Sequence, residues 1–253
     1  VSLPRRPDLA RSVAYDALRS VRENDGYANL VLPALLAERK VPPRDAAFAT
    51  ELVYGTLRGL GSYDAVLAVN VSRPLDKLDP RVLDVLRLGA HQLLAMRVAT
   101  HAAVDESVNL VRDKVGHGPS GLVNAVLRRV GTRDLPAWLA ELVPDRDADP
   151  VGYLALAHSH PRWIVEAISD ALGGDLAATE AMLAADNERP AVTLVVRPGK
   201  ADVDELLALG ARPGRWAPTA AILESGAPAA LAAVREGRVG VQDEGSRQMS
   251  YGA

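Results

Sequence analysis

The chain has 253 residues, of which 48% are apolar and 24% charged, with a formal net charge of −3. That balance supports packed globular domains and excludes wholesale disorder. There is no cysteine, which excludes a disulfide framework, a thiolate metal site and a cysteine nucleophile within these residues. No apolar run approaches the roughly 20 residues that span a bilayer, and no signal-peptide pattern opens the chain, so the expected location is cytoplasmic. The charge is unevenly shared. Residues 1–133 carry 19 Lys and Arg against 14 Asp and Glu, a net +5, whereas residues 134–253 carry 10 against 18, a net −8. A positive first region beside a negative second one fits an anionic partner for the first, nucleic acid being the usual one. The chain starts at Val1 without an initiator Met and stops at Ala253 without a terminating element, so it reads as a piece of something longer.

From Pro7 to Gly131 the pattern is helical almost throughout. Leu9, Val13, Ala17 and Val21 repeat every four residues, and Asp25-Gly26 marks the stop. A second helix over 30–40 tolerates Pro33 near its first turn. Pro42-Pro43 breaks the chain, and Asp45 caps a helix that runs to Arg58 before Gly59 and Gly61 end it. A short helix covers 63–69. Asp79-Pro80 is an N-cap followed by a first-position proline, opening a helix over 81–96 that is apolar on most sides and belongs at the bundle centre. Thr100 caps the next helix, whose buried stripe is Val104, Val108, Val111 and Val115. The seventh is GLVNAVLRRVG, residues 121–131. At 100° per residue Leu122, Val123, Val126, Leu127 and Val130 fill one apolar arc, while Asn124, Arg128 and Arg129 take the polar borders. Ser120 is its expected N-cap and Gly131 its stop. Seven helices with short links make an α bundle.

Residues 132–150 hold Pro136, Pro144, Pro150 and an acidic run over 145–149, and read as a linker with a little helix. Pro161 starts a helix through Leu172, which Gly173-Gly174 stops, and 176–185 form another. From Ala191 the period changes: strand 192–197, helix 203–209, strands 212–216 and 221–223, helix 228–236, strand 239–242. The order β-α-β-β-α-β is the ferredoxin-like arrangement. The expected fold is therefore mainly α, then α+β, with a helical domain over 1–133, a linker over 134–160 and a small α+β domain over 161–238.

Few motifs carry chemistry. Gly116, Gly118 and Gly121 match GxGxxG, and Glu141 lies 20 residues further on. The segment before them is a helix rather than a strand, and Pro119 removes an N–H that phosphates would need, so this is a helix–helix turn. His158 and His160 lack the cysteines or convergent carboxylates of a metal site and are read as capping and packing around Pro161 and Trp163. His91, His101 and His117 stand alone. Trp216 is the one aromatic on a proposed strand, too few for the stacking sheets that read RNA. The residues by themselves describe a basic helical bundle joined to an acidic α+β module, in an RNA- or protein-binding role.

Several strings carry a resemblance. FATELVYGTLRG (48–59), LRLGAHQLLAM (86–96), HAAVDESVNLV (101–111) and GLVNAVLRRVG resemble the NusB-like RNA-binding domain. HPRWIVEAI (160–168) and VQDEGS (241–246) extend the likeness to the Sun/Fmu (RsmB-type) ribosomal RNA cytosine-5 methyltransferases. The resemblance implies an S-adenosylmethionine-dependent enzyme acting on a cytosine of 16S, small-subunit, ribosomal RNA, through a cysteine thiolate that adds to C6 before C5 takes the methyl group. In that family the cofactor loop and both cysteine motifs follow VQDEGS, and none is present in this chain. Residues 239–253 would then open a missing methyltransferase domain. No catalytic, cofactor-binding or metal residue is assigned, and S-adenosylmethionine belongs to the full-length parent. What carries over is RNA binding, with Arg5, Arg6, Arg11, Arg58, Arg128 and Arg129 as candidate phosphate contacts. Asn124 is either a helix-to-helix hydrogen bond or an RNA contact. The expected partner is small-subunit ribosomal RNA, with no membrane, no DNA and no identified protein partner. The alternative is a stand-alone NusB-like module of transcription antitermination, which would end near Gly131.

Overall fold

Asp8 fixes where the first helix starts. Its carboxylate accepts the backbone N–H of Arg11 at 3.0 Å, satisfying one of the orphan donors of α1 (Leu9–Asn24). The helix ends at Asp25, whose φ of 48° places it in the left-handed region. The computed structural model describes residues 8–96, 98–224, 226 and 228–244, which divide into two units between Asn187 and Glu188.

In the first unit α2 (Ala28–Glu38) begins earlier than the spacing predicts, so Pro33 lies inside it on an exposed side. α3 (Pro43–Arg58) takes Pro43 as its first residue, since a fixed φ and a missing N–H suit that position, and Asp45 sits in the first turn rather than capping it. α4 (Leu60–Asn70) follows directly and contains Gly61, so Gly59 alone separates the two helices. α5 (Pro80–Leu94) opens as expected, with the Asp79 carboxylate accepting the N–H of Arg81 at 2.9 Å. α5 is buried nearly all round, including the polar Asp84, His91 and Gln92. α6 (Thr100–Lys114) and α7 (Ser120–Val130) complete the bundle. Thr100 and Ser120 are first helical residues and not caps. The Ser120 hydroxyl instead accepts Nε–H of Arg112 at 3.2 Å. Val123, Val126, Leu127 and Val130 of α7 are fully buried, as the apolar arc predicts.

The stretch read as a linker is folded. α8 (Leu135–Leu142) and α9 (Pro150–Ala157) are capped by Asp134 and Asp149, whose carboxylates accept the N–H groups of Ala137 and Gly152 at 2.9 Å. The prolines that look like breakers, Pro136 and Pro150, occupy the first helical turns, where no N–H is missed. Leu135, Trp138 and Leu142 pack on the bundle core, and Trp138 Nε1–H donates to the Val130 carbonyl at 3.0 Å, satisfying the end of α7. α10 (Arg162–Ala171) and α11 (Leu176–Asp186) bury Val165 and Leu183 against Leu154 of α9. That packing puts the helix pair in the first unit, not with the sheet that follows it.

The second unit is a four-stranded antiparallel sheet of β1 (Val192–Val196), β2 (Arg212–Pro213), β3 (Ala220–Leu223) and β4 (Val239–Val241), in the order β2-β3-β1-β4. Leu194 pairs with Ala221 on one side and Val241 on the other. With α12 (Val203–Leu207) and α13 (Ala232–Arg235), this is the expected ferredoxin-like topology. Leu194 and Val196 face the core with Leu206, Ala221, Ala233 and Val239. β2 ends sooner than the spacing predicts, so Trp216 lies in the following turn, 60% exposed, with the Arg215 guanidinium 4.5 Å from its ring centre. Glu244 holds that turn: its buried carboxylate accepts the N–H groups of Arg215, Trp216 and Ala217 at 3.1, 2.9 and 3.0 Å. These hydrogen bonds, led by that of Trp216, hold its pKa below the usual carboxylate range. Among the described residues no helix is long and apolar enough to cross a membrane.

Candidate functional site

The six candidate arginines have different fates. Arg5 and Arg6 lie outside the described residues. Arg11 is tied into the fold: Nε–H donates to Gln92 Oε1 at 2.7 Å, the guanidinium lies 4.8 Å from the Phe48 ring centre, and Asp8 is 3.3 Å away. Its side chain is only 12% exposed. Arg128 and Arg129 stand exposed on α7 with contacts inside their own helix only, Nε of Arg128 to Asn124 Oδ1 at 3.0 Å and Nε of Arg129 to the Ala125 carbonyl at 3.4 Å. Asn124 therefore props Arg128 rather than joining two helices. A groove of about 470 Å³ beside it, between α6 and α7, is lined by Asp105, Asn109, Arg112, Ser120 and Asn124.

Arg58 closes α3 and lines a separate cleft of about 240 Å³ within the first unit. It is half-buried, and none of the described carboxylates pairs with it. The floor includes Tyr63 and His91, the latter a histidine that stands alone in the sequence. Tyr63 and His91 lie with ring centres 5.6 Å apart, and Tyr63 Oη is 2.9 Å from His91 Nδ1. Glycine makes room for both rings. A Cβ at Gly55 would sit 2.2 Å from the imidazole, and one at Gly59 would sit 2.4 Å from the phenol ring. Burial pushes the His91 pKa down to about 4, with the Arg58 charge adding to it, and pushes Tyr63 up to about 12. Both are neutral near pH 7. Assigning the phenol as the donor to Nδ1 places the proton of the imidazole on Nε2. That Nε2 is buried without a hydrogen-bond partner among the described residues, and Glu51 Oε1 is 3.8 Å away, beyond hydrogen-bond reach.

The far wall is held by polar staples. Ser159, at a φ of 57°, accepts the N–H of Ser62 on Oγ at 3.2 Å, the Ser62 hydroxyl donates to the Leu156 carbonyl at 2.9 Å, and Asn187 Nδ2 donates to the His158 carbonyl at 2.7 Å. His158 and His160 face single carboxylates, Glu180 at 3.5 Å and Asp186 at 3.9 Å. Trp163 does not cover them: it is 66% exposed, because α10 turns Val165 inward and Trp163 away. Among the described residues no three His, Asp or Glu side chains gather as a metal site. The sequence signal for the cleft was a histidine in the helix expected at the bundle centre, together with two glycines four residues apart, Gly55 on α3 and Gly59 at its end.

These features define a seven-helix bundle extended by four more helices and joined to a ferredoxin-like unit. Residues 8–132, the bundle, match the model of the NusB family. It is 50% identical over 245 residues to a Mycobacterium tuberculosis protein that carries a methyltransferase name, covering 96% of this chain and 54% of that protein. It is 31% identical over 244 residues to ribosomal RNA small subunit methyltransferase B of Pseudomonas putida, covering 94% and 53%. The crystal structure of PH0851 shares the fold with a TM-score of 0.67 at 17% identity, over 96% of this chain and 54% of that one. The chain spans about half the length of the relatives it matches.

Proposed function

We propose that this chain is the RNA-binding, substrate-positioning N-terminal region of a longer S-adenosylmethionine-dependent methyltransferase, acting on C5 of a cytosine in small-subunit ribosomal RNA. The observation that carries this reading is the extent of the likeness. Relatives bearing ribosomal RNA methyltransferase names match the bundle and the ferredoxin-like unit together. An antitermination module would need only the bundle. Phosphate contact falls to Arg58, Arg128 and Arg129, which have no carboxylate partner among the described residues, while Arg11 serves the packing of α1 on α5. The described residues do not fit S-adenosylmethionine. The glycine-rich segment 116–121 joins two helices, the sheet is antiparallel, and the loop from β1 to α12 carries the single Gly199 rather than a GxGxxG turn. With no cysteine either, the thiolate chemistry falls to other parts of the parent.

Two titrations of the chain test this. A small-subunit ribosomal RNA fragment should bind weakly and with strong salt dependence, with a Kd of roughly 10⁻⁴ to 10⁻⁶ M at physiological salt. S-adenosylmethionine should give no calorimetric signal. Tight cofactor binding, or no RNA affinity even at low salt, would overturn the proposal.

A further inference from the structure

Tyr63 belongs to the bundle core and Arg58 to the phosphate contacts above, yet the cleft that they line holds polar groups that neither role uses. Its donors and acceptors are nevertheless arranged. His91 presents an N–H with no acceptor, a state that is costly to bury and rare in folded proteins. The Glu51 carboxylate stands 3.8 Å from that nitrogen, too far to bond it and close enough for one ligand edge to meet both. Ala95, Leu135 and Ala157 supply apolar walls, and Arg58 is the cation among the lining side chains. The volume of about 240 Å³ falls just under the ~300–1,000 Å³ of drug-sized pockets, which suits a flat group smaller than a dinucleotide.

We propose that this cleft takes one unpaired nucleobase of RNA, with His91 Nε2–H donating to an acceptor on the base edge, Glu51 accepting from the neighbouring donor, and Arg58 holding the adjacent phosphate. The inference rests on the RNA-binding reading and adds to it a place for a single base. Each nucleobase carries a donor and an acceptor side by side on its Watson–Crick edge, and those edges are free only where RNA is single-stranded or the base is flipped. A carboxylate accepts several donors, so engaging a base requires no loss of Glu51's existing contacts. The neutral imidazole brings no second charge into the cleft.

The test follows the imidazole ¹H–¹⁵N signals of the whole chain as a mixed-sequence single-stranded RNA hexamer is added, beside a duplex of the same sequence. The His91 Nε2 signal should shift with the single strand and not with the duplex. Glu51→Gln, at a half-exposed position, and Ala95→Leu, which fills the mouth from an exposed position, should each weaken single-strand binding about tenfold and leave duplex binding unchanged. Single-strand binding with a silent His91 signal and unaltered variants overturns the cleft and leaves RNA binding standing. Failure of both RNAs to bind at low salt overturns RNA binding itself, and the cleft with it.

Discussion

Asp84 and Arg22 form an ion pair whose carboxylate is buried in the bundle. The Asp84 side chain is 3% exposed, and Arg22 Nε–H reaches its Oδ2 at 3.0 Å. Burial raises the carboxyl pKa above its ordinary value, and the attraction of Arg22 only partly offsets it. Removing Arg22 leaves the buried carboxylate only the more distant Arg87, 3.8 Å from Oδ1, so Arg22→Ala should lower the unfolding free energy by roughly 3 kcal/mol, the low end for breaking a buried pair. Adding Asp84→Asn should restore much of that, and urea melts of both variants measure it. His91 makes the second residue-scale prediction. Its pKa falls from the ordinary 6.5 to about 4 on folding, so between these values the unfolded chain binds more protons. Its contribution is therefore complete above about pH 6.5 and lost as pH falls toward 4. The stability gap between wild type and His91→Phe should widen with rising pH across that window, by about 3 kcal/mol in all. Glu51, Arg58 and Tyr63 remain in both proteins, and parallel pH profiles would refute the assignment. Neither feature is legible in sequence, because Asp84 and His91 sit in an apolar helix where spacing alone cannot say which polar side chain finds a partner.

At the scale of elements, α5 and α7 meet at Gly89. A Cβ there would come within 2.4 Å of a Leu127 methyl and 3.1 Å of Ser107 Oγ. Gly89→Ala should thus destabilise by about 1–3 kcal/mol despite the gain of roughly 1 kcal/mol in helix propensity. Leu127→Ala, at a fully buried site, should cost about 2–5 kcal/mol. The new methyl fills part of the space the leucine leaves, so the double variant should cost less than the two singles added, as thermal melts would register. The apolar arc of α7 could be read in advance because burial follows the 3.6-residue period. Its cap could not. Thr100 and Ser120 have the right chemistry but stand one position inside their helices, whereas Asp79 and Asp134 stand where their carboxylates meet the first free N–H groups. Proline misled for a related reason: Pro136 and Pro150 break a helix from behind but start one from the front.

At the scale of the whole molecule, the change from a 3.6 to a 2 residue period at Ala191 marks the ferredoxin-like unit, and the strand order follows from its element sequence. The boundary itself was hidden. Nothing in the composition of 134–160 reveals that Trp138 bonds the end of α7, or that Leu154 shares a core with Val165 and Leu183. The RNA candidates divide in the same way: charge and family pointed to arginines, but only the fold separates Arg11, locked on Gln92 and Phe48, from the half-buried Arg58 and the exposed Arg128 and Arg129. The dependence of RNA affinity on salt tests that division. Each phosphate contact to a single strand contributes a slope of about −0.7 in log K against log salt. Replacing Arg58, Arg128 and Arg129 together by alanine should flatten the slope by about 2 while the fold stays intact. An unchanged slope in that triple variant would contradict the account.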